Sequence, residues 1–286
     1  MRRLLVLVAL LSCCPSDIVG QGGTSTACER VLVPSGRLTL KGLLWKPAGR
    51  GPFPAVLLNH GGGRNDIERA EALGAVFVRH GYAFLYLFRR GYGPSADQGE
   101  YMRDILDREA QTRGEDARKR LYLKLFTTDH LDDVLAGLTF LKRVKGVDPG
   151  RVAVVGHSFG GSLALLAAER DKSIRALVCF GPAAQNWDGS PEYRNRLLAA
   201  IRNNRTPVFL THAANDFSIV PGQMLAAEAA RVKRTHELKI YPPVGATPAA
   251  GHAALYTDVA TWESDVFRFL DRHVRRPGLL DRSGGS

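Results

Sequence analysis

One serine of the chain lies between a strand-like and a helix-like segment, in the stretch VVGHSFGGSLALL. The residues before it, RVAVVGH, are rich in valine, which is typical of a buried strand. The residues after it, FGGSLALLAAER, favour a helix. Gly156, Ser158 and Gly160 fit G-x-S-x-G, in which the serine occupies a sharp strand-to-helix turn and flanking side chains would collide. We predict that Ser158 is a nucleophile; the alternative is a structural Gly–Ser turn.

Strand-like and helix-like segments alternate along the rest of the chain. RVLVPS and RLTLKGLLWKP are typical of two antiparallel strands around a turn at 34–36. The other predicted strands are PAVLLNHG, YAFLYLF, RVAVVGH, RALVCFGP, PVFLTHA and HELKIYP. Helices are predicted over residues 68–79, 129–144, 159–170 and 261–273. This order indicates an α/β fold with a mainly parallel sheet of about eight strands and helices on both faces. With 286 residues, 45% of them hydrophobic, the chain is expected to form one domain.

Two segments interrupt this alternation. Residues 91–128 are charged, and their latter part, 107–125, is compatible with one helix. Residues 183–205 connect two predicted strands. Both leave the C-terminal edge of the sheet, where open α/β folds bind their ligands. We expect them to wall a substrate pocket, with Tyr92 and Trp187 as pocket residues.

A nucleophilic serine needs a base and an acid that orients the base. In this topology they follow the serine in the order acid, then histidine. Asp216 follows the predicted strand PVFLTHA, and His252 follows the last strand. Both positions fall at the edge that carries Ser158, so we predict Asp216 and His252 as its partners. Asp188, which also follows a strand, is the rival acid.

Three other histidines have simpler interpretations. His212 lies within a predicted strand, which favours a packed core histidine. His130 and His273 lie on predicted helices, where a position on the surface is expected.

An acyl-transfer site also needs two N–H donors for the developing oxyanion. The first should be the amide of Phe159, directly after the serine. The second should come from the glycine-rich loop NHGGG after the third strand, with Gly62 favoured and Gly61 second. A flexible glycine turn is the alternative interpretation of this loop.

The N-terminus has the pattern of a targeting segment. Arg2 and Arg3 precede an apolar run at 4–11. This run is too short to span a bilayer, since a spanning helix takes roughly 20 apolar residues. The pattern favours a secretory signal peptide over residues 1–27, and a frayed apolar N-terminus is the alternative. We therefore expect an exported protein that is periplasmic, extracellular or lipid-anchored.

The position of cleavage stays open between two forms. A cut before Cys13, as in bacterial lipoproteins, would leave a lipid-bearing N-terminus, and this anchor is the one membrane contact that we expect. A cut near Gly20 or Ala27 would release a free protein. In either form we expect residues 28–275 to be the folded domain and residues 276–286 to be a flexible tail.

Composition argues against several kinds of partner. The net charge is +11, but the basic residues are scattered, with small clusters at 118–120 and 275–276. No nucleic-acid-binding module is evident, so we predict no nucleic-acid partner. The two cysteines beyond the signal region, Cys28 and Cys179, form no zinc-type pair, and we expect them to stay unbridged. We predict no metal and no organic cofactor.

Several motifs together resemble the α/β-hydrolase fold and, within it, the dienelactone hydrolase family. They cover roughly residues 35–270 and read LLNHGGG, RRGYGPS, DPGRVAVVGHSFGG, HAANDFSIVP and IYPPVGATPAAGH. The resemblance implies hydrolysis of small carboxylic esters through an acyl-enzyme. Dienelactone hydrolases proper carry cysteine where this chain has Ser158, so dienelactone itself is not the expected substrate.

Two alternatives to an esterase are kept. RRGYGPS also resembles serine peptidases of the prolyl-oligopeptidase group, which leaves a small peptidase or amidase open. The other alternative is a binding protein that uses the hydrolase fold without catalysis.

Overall fold

The computed structural model describes residues 28–63 and 67–275. Its centre is one eight-stranded sheet in the order β1-β2-β4-β3-β5-β6-β7-β8. The strands are β1 (Cys28–Ser35), β2 (Leu38–Trp45), β3 (Phe53–Asn59), β4 (Ala83–Phe88), β5 (Val147–His157), β6 (Ala176–Phe180), β7 (Val208–Ala213) and β8 (His236–Tyr241). β2 pairs antiparallel with β1 and β4, and all other neighbours are parallel. The predicted α/β architecture is confirmed.

Ten α-helices occur among the described residues. They are α1 (Ile67–Arg79), α2 (Met102–Arg113), α3 (Glu115–Thr127), α4 (Asp129–Leu141), α5 (Phe159–Arg170), α6 (Pro191–Asn203), α7 (Val220–Arg231), α8 (Pro248–His252), α9 (Ala254–Thr257) and α10 (Val259–Leu270). A 3₁₀ helix covers Gly93–Gln98, and a π-helical turn covers Asp271–Arg275. None of these helices combines the length and the apolar character that crossing a membrane requires.

The helices cover both faces of the sheet. α4, α5, α6 and α7 pack their apolar residues on one face, where α2 and α3 join them. α1, α9 and α10 pack on the other face. The apolar stripe of α4 illustrates the pattern, because Leu131, Val134 and Leu138 are buried as a period of 3.6 residues requires. The central strands are therefore buried on both sides and read as continuous apolar runs.

The register of the parallel strands brings several loops to one edge. Asn59 at the end of β3 pairs with Gly156 near the end of β5, so the glycine loop starts beside the Ser158 turn. β6, β7 and β8 follow in order on the other side of β5. The loops after β7 and β8, which carry Asp216 and His252, therefore leave the same edge as Ser158.

Three predicted helices differ from the structure, and the one predicted over 129–144 ends at Leu141. Residues 107–125 were expected to form one helix, but α2 and α3 are separate helices divided at Gly114. Gly114 adopts φ +83° and ψ 171°, a conformation that interrupts the helical hydrogen bonds and that glycine tolerates. The closing helix, predicted over 261–273, begins earlier and ends at Leu270. The predicted signal peptide and tail lie outside the described residues.

Candidate active site

Ser158 occupies a strained turn between β5 and α5. Its backbone adopts φ 54° and ψ −118°, a combination that residues other than glycine rarely adopt. Two hydrogen bonds hold the turn: the Ser158 N–H donates to Phe180 O at 2.7 Å, and the Ser162 N–H donates to Ser158 O at 3.1 Å. Strain of this kind persists only where the surrounding structure enforces it, and it is concentrated at functional sites.

The glycines around Ser158 provide clearance for the backbone. A Cβ on Gly156 would lie 2.3 Å from Gly160 O, and a Cβ on Gly160 would lie 2.1 Å from Asn59 O. Both distances are far inside van der Waals contact and involve backbone atoms that cannot move aside. The steric reason predicted for the G-x-S-x-G pattern is therefore present in the fold.

Asp216 and His252 meet at the edge of the sheet near Ser158. His252 Nδ1 lies 2.7 Å from Asp216 Oδ1. Because a carboxylate only accepts hydrogen bonds, Nδ1 carries the proton and Nε2 of the neutral ring is left as a base. Asp188, the rival acid, is exposed and takes no part in this contact.

His212 binds the other oxygen of Asp216. Its Nδ1 lies 2.8 Å from Asp216 Oδ2, and both side chains are buried. Burial raises the pKa of the Asp216 carboxyl, but the hydrogen bonds from His212 and His252 outweigh it and hold that pKa well below its usual range. His212 is buried, as expected for a core histidine. That interpretation was incomplete, because the buried ring also forms a hydrogen bond with Asp216.

Two further side chains fix the loops that carry the acid and the base. Asn215 Nδ2 donates to Val244 O and to Thr247 O, each at 3.0 Å, and so ties the loop after β7 to the loop after β8. His157 Nε2 donates to His252 O at 2.7 Å. Burial lowers the pKa of His157 to about 3, so this ring is neutral at physiological pH. No pattern in the sequence pointed to either residue, because both act through backbone contacts.

Five of the predicted site residues line one cleft of about 640 Å³. Ser158, Phe159 and His252 contribute to it, as do Gly61 and Gly62 of the glycine loop. A Cβ on Gly62 would lie 3.7 Å from the Cβ of Phe159. The backbone segments that carry the two predicted oxyanion donors are therefore neighbours in the fold. The fold therefore brings a serine, a histidine bound to an aspartate, and candidate amide donors to one cleft.

The walls of the cleft come from the two predicted segments, but not from the predicted aromatic residues. Residues of α2, α3 and the segment before α6 line it, among them Met102, Arg103, Leu106, Arg118, Lys119, Tyr122, Gln185 and Asn186. Tyr92 and Trp187 were wrong choices, because they are only 1% and 2% exposed and pack inside the domain. His130 was also misplaced: it is buried, with its ring centroid 5.4 Å from that of Phe159.

Comparison with known proteins decides the family. The family described as the Dienelactone hydrolase family matches residues 40–264. The chain belongs to the dienelactone hydrolase family. The polyketide transferase grgF of a Penicillium species is 30% identical over 198 residues, which cover 67% of this chain and 59% of that protein. Esterase EstD of Thermotoga maritima is 30% identical over 151 residues, covering 51% of this chain and 32% of the relative.

A solved dienelactone hydrolase shares the fold. The enzyme from Anabaena variabilis superimposes with a TM-score of 0.62 at 19% identity, covering 88% of this chain and 100% of that one. The predicted α/β-hydrolase fold and the resemblance to this family are confirmed. The chain spans less than two thirds of the length of the two curated relatives.

Proposed function

We propose that this dienelactone hydrolase family member is a serine hydrolase that cleaves carboxylic esters through an acyl-enzyme. One observation carries the proposal: the strained Ser158 turn lines the same cleft as His252, whose Nδ1 is bound to Asp216. A structural Gly–Ser turn would need neither the strain nor a buried acid–histidine pair beside it. The name of Esterase EstD supports the choice of ester over other acyl compounds.

The proposed mechanism uses side chains and backbone amides alone. Ser158 Oγ attacks the ester carbonyl while His252 Nε2 takes the hydroxyl proton. The amides of Phe159 and Gly62 bind the tetrahedral oxyanion. As the intermediate collapses, the bond to the alkoxide breaks and His252 returns the proton to the leaving alcohol. Water, deprotonated by His252, then attacks the acyl-enzyme, and the acid is released with Ser158 regenerated.

Asp216 supports both proton transfers. Its Oδ1 keeps the His252 ring in one tautomer and one orientation, and its negative charge stabilises the imidazolium that forms after each proton uptake. Because the Asp216 pKa is held well below its usual range, the carboxylate stays ionised throughout the physiological pH range.

The test is hydrolysis of p-nitrophenyl esters from acetate to laurate by wild-type protein and by Ser158→Ala. We expect turnover by the wild type and none by the variant, because the variant lacks the nucleophile. A fluorophosphonate probe should label the wild type and leave Ser158→Ala unlabelled. Turnover by the variant at the wild-type rate would contradict the proposal, and absence of labelling of the wild type would favour a binding protein.

Amides separate the esterase from the peptidase alternative. Aminoacyl p-nitroanilides offer the same chromophore on an amide bond, so rates on the two classes compare directly. We expect kcat/KM on the best ester to exceed that on every anilide. The reverse order would replace the esterase by a small peptidase or amidase.

We further propose that the protein is exported with residues 1–27 removed as a signal peptide. The basic Arg2 and Arg3 followed by an apolar run support this. Intact mass spectrometry of protein recovered from fractionated cells is the test. A lipid-modified chain that begins at Cys13 would identify the anchored form, and a chain that begins near Gly20 or Ala27 would identify the free form. Full-length protein in the cytosol would contradict export.

A further inference from the structure

Arg89 is a buried cation that donates hydrogen bonds to two backbone carbonyl groups, and its Nη2 also lies 3.1 Å from His60 Nδ1. It directly follows β4 and has no exposed surface. Its Nη1 donates to His60 O at 2.8 Å, and its Nη2 donates to Gly61 O at 3.1 Å. Among the described residues no carboxylate forms an ion pair with it, and Asp133 is engaged by Arg90. An arginine keeps its charge when buried, and a buried charge without a counter-ion is costly, so its position needs an explanation.

His60 belongs to the same arrangement. The backbone N–H of Arg89 donates to His60 Nε2 at 3.1 Å, so Nε2 is the acceptor nitrogen of the ring. His60 Nδ1 therefore carries the proton and donates to Gly61 O at 2.7 Å. Burial lowers the pKa of His60 well below its usual value, which keeps the ring in this neutral form. The Gly61 carbonyl thus accepts two hydrogen bonds from the interior, from His60 and from Arg89.

These hydrogen bonds determine the direction of the next amide. In a trans peptide the N–H points opposite to the carbonyl of the same unit. The Gly61 carbonyl is turned onto the buried guanidinium, so the Gly62 N–H faces away from it. Gly62 lines the cleft, and its own carbonyl accepts a hydrogen bond from the Tyr101 hydroxyl at 3.0 Å. The loop is thereby held on both sides of the Gly62 amide.

The guanidinium also packs against the side chain of Phe159, the residue whose amide is the other predicted donor. Its central carbon is 5.2 Å from the ring centroid of Phe159 and 5.3 Å from that of Tyr92. The buried charge therefore lies next to the Gly61–Gly62 peptide unit and the Phe159 ring, in surroundings that screen it far less than water would. A charged group that donates a hydrogen bond to a peptide carbonyl also polarises the N–H of the same peptide unit. This polarisation makes the N–H a stronger hydrogen-bond donor.

We propose that Arg89 is a positioning residue of the oxyanion pocket. It holds the His60 and Gly61 carbonyls so that the Gly62 amide is aimed at the reacting carbonyl, and its charge strengthens that amide in the transition state. Arg89 itself does not touch the substrate. This role rests on the proposed ester hydrolysis, and it assigns a function in that reaction to a buried cation behind the oxyanion pocket.

The experiment compares Arg89→Lys and Arg89→Met with wild-type protein on one p-nitrophenyl ester. Lysine keeps the charge but cannot hold two carbonyls in a fork, and methionine loses both functions. Removing an oxyanion donor typically lowers kcat by roughly 100- to 1000-fold, so we expect about 100-fold for methionine and about tenfold for lysine. KM should change less than about threefold, because the pocket acts on the transition state rather than on substrate binding.

A trifluoromethyl ketone provides the readout that a packing role would not change. Its adduct with Ser158 carries an oxyanion, so its inhibition constant should rise in proportion to the loss of kcat/KM. Arg90→Met is the matched control: it removes the neighbouring contact with Asp133, and we expect lower stability with kcat retained. All assays are run below the unfolding midpoint of each variant.

A measurement on wild-type protein keeps the test independent of how the variants fold. With glycine labelled by ¹⁵N, the Gly62 amide proton should move downfield when the trifluoromethyl ketone binds. An unchanged Gly62 resonance, or folded Arg89 variants with wild-type kcat and inhibition, would overturn the role of Arg89 alone. A wild-type protein that neither turns over esters nor reacts with a fluorophosphonate would overturn the proposed function, and the role of Arg89 with it.

Discussion

His212 Nδ1 lies 2.8 Å from Asp216 Oδ2, on the carboxylate whose other oxygen binds His252. Asp216 Oδ1 also accepts a hydrogen bond from the Phe217 N–H at 2.7 Å. Each oxygen of the acid therefore has a donor, and the carboxylate cannot rotate without breaking at least one of them. This arrangement fixes which oxygen faces His252.

The hydrogen bond that His212 donates to Asp216 should contribute to turnover. His212→Leu removes it and leaves a buried carboxylate oxygen unpaired, whereas the side-chain amide of His212→Asn can still donate. We expect kcat on a p-nitrophenyl ester to fall by about tenfold in the leucine variant, the equivalent of about one charge-assisted hydrogen bond of 1.5 kcal/mol. The asparagine variant should retain more activity. Equal losses in both variants would mean that the contact acts through volume alone.

The same pair predicts a pH dependence of stability. The pKa of Asp216 is lower in the folded protein than in the unfolded chain, where it is about 3.9. Its ionised form therefore adds stability that is fully present above about pH 4 and is lost as pH falls towards the folded pKa. We expect His212→Leu to lower the free energy of unfolding at pH 7 by about 1–3 kcal/mol, and this difference to shrink below pH 4. Urea unfolding from pH 3 to 7 measures it, and a difference that grows towards acid would contradict the assignment.

His157 should affect the rate without adding an ionisation. Its Nε2–H holds the backbone of His252, and burial lowers its pKa to about 3. We expect His157→Phe to lower kcat by about three- to tenfold, since a neutral hydrogen bond contributes about 1 kcal/mol. The shape of the kcat profile between pH 5 and 9 should match that of the wild type. An additional rise or fall of kcat in that pH range, absent from the variant, would show that His157 titrates during turnover.

The short distances around Gly160 predict a large loss of stability when a side chain is added there. Gly160→Ala places a Cβ 2.1 Å from Asn59 O, whereas Gly189→Ala meets its nearest atom, Asn186 O, at 4.0 Å. We expect Gly160→Ala to lower the free energy of unfolding by about 3 kcal/mol or more, because overpacking against backbone forces the turn to move. Gly189→Ala should stay within about 0.5 kcal/mol of the wild type. Thermal unfolding followed by circular dichroism compares the two variants.

The charge of the cleft predicts a preference among esters. Its lining includes four cationic side chains and one carboxylate, Glu115; the cations are Arg69, Arg103, Arg118 and Lys119. An ester with a carboxylate group should therefore have a lower KM than a neutral ester of the same size. Lys119→Glu should raise that KM by about threefold or more at low salt, and the effect should fade at high salt. Lys124→Glu, on the same helix but outside the cleft lining, is the control. Equal effects of the two variants would point to general charge rather than the cleft.

Local sequence was informative wherever a short segment decides its own conformation. Apolar runs predicted the strands, and the boundaries of β3 to β8 agree with the prediction to within a few residues. The separation of α2 from α3 was missed, because glycine is tolerated within helices and the break depends on the backbone angles of Gly114. Tyr92 and Trp187 were placed in the pocket because they occur in the right segments. Whether an aromatic side chain faces the cleft or the core is decided by packing against distant residues.

The sequence by itself determined the Ser158 turn, because its steric reasons lie within a few residues: glycines at 156 and 160, a strand before and a helix after. It also placed Asp216 and His252 at strand ends. Only the tertiary structure decided that Asp216 rather than Asp188 binds His252, and that His212 and Arg89 support the site from inside. His252 is 36 residues from Asp216 and Arg89 is 29 residues from His60, while His212 meets Asp216 inside the fold. These contacts exist only once the order of the strands and the packing of the loops are fixed.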